Sequence, residues 1–328
     1  MDQKIPIAVI GVGGHGQKHA RTLKEVAGAE LVGVYDLRAE RCAQVAAELG
    51  VRAFVSLEEA LGAARAVSIV IPTSDHASVA HQALARGVDV LLEKPVTRTL
   101  AEADELLAEA AARGLILQVG HVERFNPGVV AAMAEIHAPL FFEIHRLGVF
   151  SPRSLDVDVV FDLMIHDLDL VLWMVGAEVR EVRAVGLPVL SDKVDLANAR
   201  VEFENGVVAN FTASRASTER VRKFRFFQPY AYFSVDFTRR DVVVISVNHD
   251  APQPQLSIRK LATQPVEPLR AELDAFVESV RSRKPPLVGG KEGRAALALA
   301  ERVMNCIEAH VGALNVRLTR AAGQVGES

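Results

Sequence analysis

Cysteine is nearly absent. Cys42 and Cys306 are the only two in 328 residues, too few for a disulfide framework, and both read as ordinary thiols in helical-looking segments. Excess charge is absent too: 37 basic against 41 acidic residues leave −4, which gives no broad electrostatic reason to expect a nucleic-acid or membrane partner. No apolar run approaches the length of a membrane span, and there are no internal repeats or low-complexity tracts. Nothing resembling a signal peptide precedes the first strand-like run, so a cytoplasmic, reducing location is expected. Aromatic residues are scarce at 5%, half the chain is apolar and 24% is charged, a soluble globular composition long enough for two domains.

What is present begins at once. Residues 4–10 read as a buried strand, and Gly11-Val12-Gly13-Gly14-His15-Gly16 follows as a G-x-G-x-x-G run. A helix is expected over 17–26 and a second strand over 31–35, ending in Asp36. Gly11 permits the tight turn, Gly13 lets the backbone approach a pyrophosphate, and Gly16 lets helix and strand pack closely. The helix N-terminus offers unpaired N–H groups and the positive end of its dipole. Asp36 can accept hydrogen bonds from ribose hydroxyls and would meet a 2′-phosphate with like charge, so NAD is the expected cofactor; Arg38, two residues on, weakens that discrimination. Strand, turn, helix, strand and acid agree in order, which predicts dinucleotide binding by Gly11 to Gly16, Asp36 and Arg38.

Strand-like runs recur at 53–54, 66–71, 89–92 and 116–119, with Ala-, Glu-, Leu- and Arg-rich helical runs between them. The alternation predicts an α/β fold with a doubly wound parallel sheet. Ligands bind such sheets beyond the strand C-termini. Three loops fall there: Pro72-Thr73-Ser74-Asp75-His76, Glu93-Lys94-Pro95 and Gly120-His121. Pro72, Thr73, His76 and Glu93 are therefore cofactor candidates, and His121 a substrate candidate. Pro95 holds Lys94 extended, and a lysine there can reach the nicotinamide end of the crevice and stabilise charge on a substrate oxygen. Alone, Lys94 reads first as a surface lysine before a turn; beside a dinucleotide fold and an Asp/His pair, the catalytic reading prevails.

After residue 121 the pattern changes, so domains are expected at 1–121 and 122–328. Helices are expected at 126–136, 156–175, 268–282 and 292–310, and β-type runs at 181–189, 195–204, 206–214, 223–227, 230–237 and 241–247. Asn205-Gly206 reads as a two-residue hairpin. This predicts a second, α+β domain with a mostly antiparallel sheet, and a frayed tail over the last ~15 residues.

The 156–175 segment is apolar nearly all round. At 100° per residue, Asp158, Asp162, His166 and Asp169 fall within about 80° of one another, while Asp167 projects from the other side. A helix apolar all round is buried, so its one polar stripe must face a cavity, a partner or a ligand. Asp162 and His166 are i and i+4 and can touch. An aspartate orients the ring and favours its charged form, the makeup of a proton shuttle for an alcohol or ketone. The plainer readings are a satisfied core histidine at 166 and helix N-terminal acids at 156 and 158. No second histidine or cysteine lies well placed beside this stripe, so no metal is expected there.

These residues together resemble the Gfo/Idh/MocA oxidoreductases across almost the whole chain. The resemblance rests on the Gly11–Gly16 run, Glu93-Lys94-Pro95, Arg124-Phe125-Asn126-Pro127 and Asp162-x-x-x-His166. It implies that Lys94, Asp162 and His166 form the catalytic group and also touch substrate. It also implies an N-terminal Rossmann domain, an open-faced C-terminal sheet, and a homodimer or homotetramer through that sheet. Asn126 and Pro127 are then expected near the nicotinamide. Residues 122–127, 156–167 and 190–195 further resemble a branch that oxidises C3 of UDP-N-acetylglucosamine to a ketone for amide-linked lipid A. A nucleotide-sugar diphosphate would need cations, for which Arg146, Arg153 and Lys193 are candidates. A free sugar, inositol or sugar acid is the alternative substrate, and a non-catalytic NAD-binding regulator the alternative class.

Overall fold

In a computed structural model of the chain, residues 3–150, 157–248 and 253–325 are described, side chains to 312. Two compact units emerge. One runs to Phe125 and takes back Pro265–Leu297; the other holds Asn126–Gln264 and resumes at Ala298.

The first unit alternates strand and helix: β1 (Ile5–Ile10), α1 (Gly14–Glu25), β2 (Ala29–Tyr35), α2 (Ala39–Leu49), β3 (Arg52–Ala53), α3 (Leu57–Ala63), β4 (Ala66–Ile69), α4 (Thr73–Ala85), β5 (Asp89–Glu93), α5 (Leu100–Arg113) and β6 (Leu117–Gly120). The strands pair in parallel in the order β3-β2-β1-β4-β5-β6. This is the doubly wound sheet that the alternation predicts. Ile7, Val9, Val67, Ile69, Val90 and Leu91 are wholly buried, because helices cover both faces of such a sheet. Local chemistry agrees with the element ends. Thr99 and Glu102 form a capping box at α5, and Gly114 ends that helix in the left-handed conformation.

A later helix, at Pro268–Ser282, also belongs to this unit. Its Leu273, Phe276, Val277 and Val280 join the core around Ile5, Ile7, Leu23 and Ile116. The division at residue 121 misses this return, because the helix's destination depends on which distant apolar surface it covers rather than on its own periodicity.

The second unit contains α6 (Pro127–Met133), β7 (Phe141–Val149), a π-helical turn (Val160–Met164) running into α7 (Ile165–Val175), and β8 (Val179–Leu187). There follow β9 (Leu196–Phe203), β10 (Val208–Ser217), β11 (Val221–Gln228), β12 (Ala231–Asp236), β13 (Asp241–Asn248) and β14 (Gln255–Lys260). The sheet order is β14-β13-β12-β11-β7-β10-β9-β8, with only β7 and β10 parallel. Alternate residues Phe224, Phe226, Phe233, Val235, Ala209 and Phe211 line a buried face, and Phe226 stacks on Phe233 at 4.4 Å between ring centroids. Each such buried phenylalanine contributes about 1.5–3 kcal/mol over an exposed one. With the Pro268–Ser282 helix as α8, the last helix is α9 (Gly290–Val325).

Four local expectations change. The hairpin at Asn205-Gly206 is a three-residue turn: Gly206 donates to the Phe203 carbonyl and is alone at positive φ, +84°, so a mirror-image two-residue turn is not formed. β7, in the middle of the sheet, is absent from the expected strands. β14 is likewise an addition, at the sheet edge. The tail expected to fray continues as α9 to Val325, over a sequence rich in Ala, Leu and Arg that favours helix. Among the described residues no helix is long and apolar enough to cross a membrane.

Candidate active site

In the first unit the glycine-rich loop is shaped by two close approaches. Gly11 has φ +86°, and a Cβ there would stand 2.3 Å from the Val70 carbonyl oxygen. A Cβ on Gly16 would stand 1.9 Å from the Gly11 oxygen. At Gly13 and Gly14 an added Cβ would meet nothing within 4 Å, which leaves that stretch open to a ligand. Helix α1 starts at Gly14, three residues before the expected start, and Gly13 caps it with no side chain, so the first-turn N–H groups stay available. An open cradle of backbone donors at a helix N-terminus fits a dinucleotide pyrophosphate.

Asp36 closes this loop from the end of β2. Its Oδ2 accepts the Val12 N–H at 2.9 Å, and its Oδ1 accepts the Arg38 backbone and Nε at 3.0 and 3.2 Å. Burial alone would raise the carboxyl pKa, but the Arg38 and Val12 donors outweigh it and hold the group below the usual carboxylate range. Arg41, which the sequence does not single out, donates from Nε to the Val12 carbonyl at 2.9 Å and from Nη2 to Gln17 at 2.9 Å. Its signal was faint: a lone arginine on a helix, with no motif around it.

Glu93 ends β5 and Lys94 opens the loop after it. Glu93 is buried, and its Oε2 accepts the Lys94 backbone N–H at 3.2 Å while its Oε1 meets the rings of His15 and His19. Burial favours a protonated Glu93, but the two histidines prevail and keep it well below its ordinary pKa. Burial lowers the pKa of His19 despite Glu93, so this ring is neutral near pH 7. Lys94 is partly exposed, and the Lys94–Pro95 peptide is cis. His76 is buried, with Nδ1 2.9 Å from the Pro95 carbonyl and Nε2 3.0 Å from that of Ile71. Its ring therefore braces the loops after β4 and β5. Pro72 and Thr73 stand at the start of α4, and His121 is buried at the end of β6. From α8, Glu272 enters the same interior wholly buried; burial first, then the charge of Glu93, pushes its carboxyl well above the usual range and keeps it neutral.

In the second unit Asn126 caps α6, accepting the Gly128 N–H at 3.0 Å with Pro127 at the first helical position. Asp162 lies in the π turn and His166 in the first turn of α7. Both are partly exposed, whereas Val159, Val160, Met164, Ile165 and Leu168 around them are wholly buried. π turns recur at functional sites, where one extra residue re-aims a side chain. Two other acids of the segment have different occupations. Asp158 accepts the Val194 N–H at 2.8 Å, and Asp169 is buried.

Arg146, expected near a diphosphate, is buried on β7 and forks onto Asp167 at 2.8 and 2.7 Å, with its guanidinium 5.1 Å from the Phe237 ring centroid. Asp167 is itself buried, and the π turn at Val160–Met164 means that the 100° wheel does not carry through this segment. Lys193 is exposed; Arg153 and Asp156 lie outside the described residues. A second buried pair joins Asp195 to Arg215 Nε at 2.7 Å. Asp195 also accepts the N–H groups of Val189, Leu190 and Ser191, which together with the Ser191 hydroxyl hold its carboxyl far below the usual range against the effect of burial.

Comparison with known proteins supplies the context for this geometry. Residues 5–121 match a family model described as oxidoreductase family, NAD-binding Rossmann fold, and residues 143–228 match the GFO/IDH/MocA C-terminal domain. A UDP-N-acetylglucosamine 3-dehydrogenase of Acidithiobacillus ferrooxidans is 42% identical over 307 residues, 92% of this chain and 96% of that one. A solved structure bearing that name, from the same organism, superposes with a TM-score of 0.87 at 41% identity, covering 94% and 99% of the two chains. A scyllo-inositol 2-dehydrogenase (NAD(+)) of Bacillus subtilis is 29% identical over 88% of this chain and 90% of its own length.

Proposed function

This chain belongs to the Gfo/Idh/MocA oxidoreductases, and from that premise we propose that it oxidises C3 of UDP-N-acetylglucosamine to the ketone, with NAD⁺ preferred over NADP⁺. The observation that carries the substrate is the 42% identity along 92% of the chain to a protein of that name. The chemistry rests on Asp162 and His166, partly exposed beside the wholly buried Val159, Val160, Met164, Ile165 and Leu168.

When bound, the dinucleotide supplies the hydride acceptor. The first-turn N–H groups of α1 and the open backbone at Gly13 hold its pyrophosphate, and Asp36 accepts from the ribose. His166 takes the proton of the substrate hydroxyl as general base. Asp162 keeps the ring in orientation and offsets the charge it gains. Lys94 stabilises the negative charge that develops on the substrate oxygen, an interaction strongest in the transition state. Glu93 fixes the backbone that presents Lys94. Self-association through the second unit's sheet completes the reading; Leu256 and Ile258, each 66% exposed on edge strand β14, are the apolar surface offered.

The test is NADH formation from UDP-N-acetylglucosamine, alone and with an aminotransferase and glutamate to drain the ketone, beside scyllo- and myo-inositol. Draining should accelerate turnover, since alcohol oxidation by NAD⁺ is uphill near neutral pH. No signal with the nucleotide sugar even when drained, with turnover on an inositol, would replace the substrate and leave the oxidoreductase class standing.

A further inference from the structure

His15, His19 and Glu93 form a triangle in which hydrogen bonds to Glu93 account for two edges but not for the third, between the rings. His15 Nε2 lies 3.2 Å from Glu93 Oε1, His19 Nε2 lies 3.3 Å from the same oxygen, and the two nitrogens are 3.3 Å apart. Along its one outward direction a ring nitrogen presents either an N–H or a lone pair. If both rings donate to an ionised Glu93, two N–H groups oppose each other across the third edge. If one ring keeps a lone pair, that lone pair opposes the carboxylate. Three lone pairs turned on a common cation carry no such conflict.

The dimensions agree. Ligands held tetrahedrally at about 2.0–2.1 Å from an ion stand ~3.3 Å from one another. His19 Nδ1 lies 2.9 Å from the Ser68 hydroxyl, the kind of outer partner that fixes the ring of a metal-bound histidine. His15 and His19 are i and i+4 on α1, the spacing by which two histidines of one helix share an ion. His19 and Glu93 are buried, while the His15 side chain is 50% exposed, so the cluster has a fixed floor and an open entry.

We propose that His15, His19 and Glu93 form a three-ligand site for a divalent transition ion of the zinc class, with its fourth position open. All three residues belong to the first unit, so the site is assembled without any residue of the second. Two imidazoles and one carboxylate leave the bound ion net positive, at the helix end that the pyrophosphate would approach.

The experiment uses tag-free, full-length protein stripped with a chelator and titrated with Co²⁺, then with Zn²⁺. One Co²⁺ per chain should bind with the intense visible bands of a tetrahedral site, and Zn²⁺ should displace it. Loss of an outer partner alone costs about 10–100-fold in affinity, so Ser68→Ala should fall in that range and His15→Ala should lose more than about 100-fold. His15 is half-exposed, so its removal spares the core, and circular dichroism verifies the fold. Absence of tetrahedral bands in the wild type, or unchanged bands in His15→Ala, overturns the site.

Discussion

Asp36→Ala separates the two dinucleotides without requiring the substrate to be known. The carboxylate does two jobs in the structure: it accepts the Val12 N–H at 2.9 Å, bracing the phosphate loop, and it holds Arg38 through two bonds at Oδ1. Its proposed third job is to accept from the adenosine ribose. Removing one hydrogen bond to a charged group costs about 1.5–3 kcal/mol, roughly 10- to 150-fold in affinity for NADH. The loosened Val12 loop weakens both cofactors, because both share the pyrophosphate, and so cancels in their ratio. For NADPH the lost anion also removes repulsion of the 2′-phosphate and frees Arg38 to pair with it. The ratio of NADPH to NADH dissociation constants, from nucleotide fluorescence titrations, should therefore fall by at least about tenfold. A ratio unchanged within error, or a wild type that binds both alike, refutes the role given to Asp36.

Gly13→Ala should fold with an unchanged melting temperature yet lose cofactor affinity, while Gly16→Ala should lower the melting temperature itself, because its Cβ would meet the Gly11 oxygen at 1.9 Å; equal melting losses would show that the Gly13 space is not a ligand space. Lys94→Met should reduce kcat by about 10²–10³ and His166→Ala by about 10²–10⁴, with a double variant far less impaired than the product; near-wild-type kcat in His166→Ala would make it a core histidine. Asp167→Ala should destabilise by about 3–5 kcal/mol, since it strands the buried Arg146 charge, and replacing both partners with apolar residues should cost less in urea melts. The folded-state pKa of Asp195 lies below its unfolded value, so its contribution is complete above about pH 4 and is lost as pH falls toward the folded value. The stability gap between wild type and Asp195→Asn should thus narrow from pH 7 to pH 3; a constant gap would assign the loss to shape alone.

The first sheet was legible because each of its cues is local: the glycine pattern, the buried strand runs and the helical runs between them. The second unit was less so, and β7 shows why. Phe142 and Ile144 point inward with period two, but so does Arg146, and a charge at an inward position breaks the pattern that marks a strand. Its partner Asp167 lies 21 residues on, outside any local pattern. The same distance problem hid the cluster around Glu93. His15 and Glu93 are 78 residues apart, and His19 meets Ser68 across 49. Parallel strands bring their C-terminal ends together, so the grouping is a property of the strand order and not of any one motif. Asp162 and His166 were readable because both lie within two turns of one segment.

The return of α8 to the first unit sets the order in which this protein can mature on the ribosome. The chain up to Phe125 holds every strand of the first sheet, yet the flank around Ile5, Leu23 and Ile116 stays uncovered until Leu273, Phe276, Val277 and Val280 are made. At about 5–20 residues per second, the interval from Phe125 to Ser282 is roughly 8–30 s. Throughout it the nascent sheet presents a greasy flank while the entire second sheet is being translated beside it. Chaperone engagement should concentrate in that window, and a chain terminated before α8 should aggregate rather than persist as an independent nucleotide-binding domain.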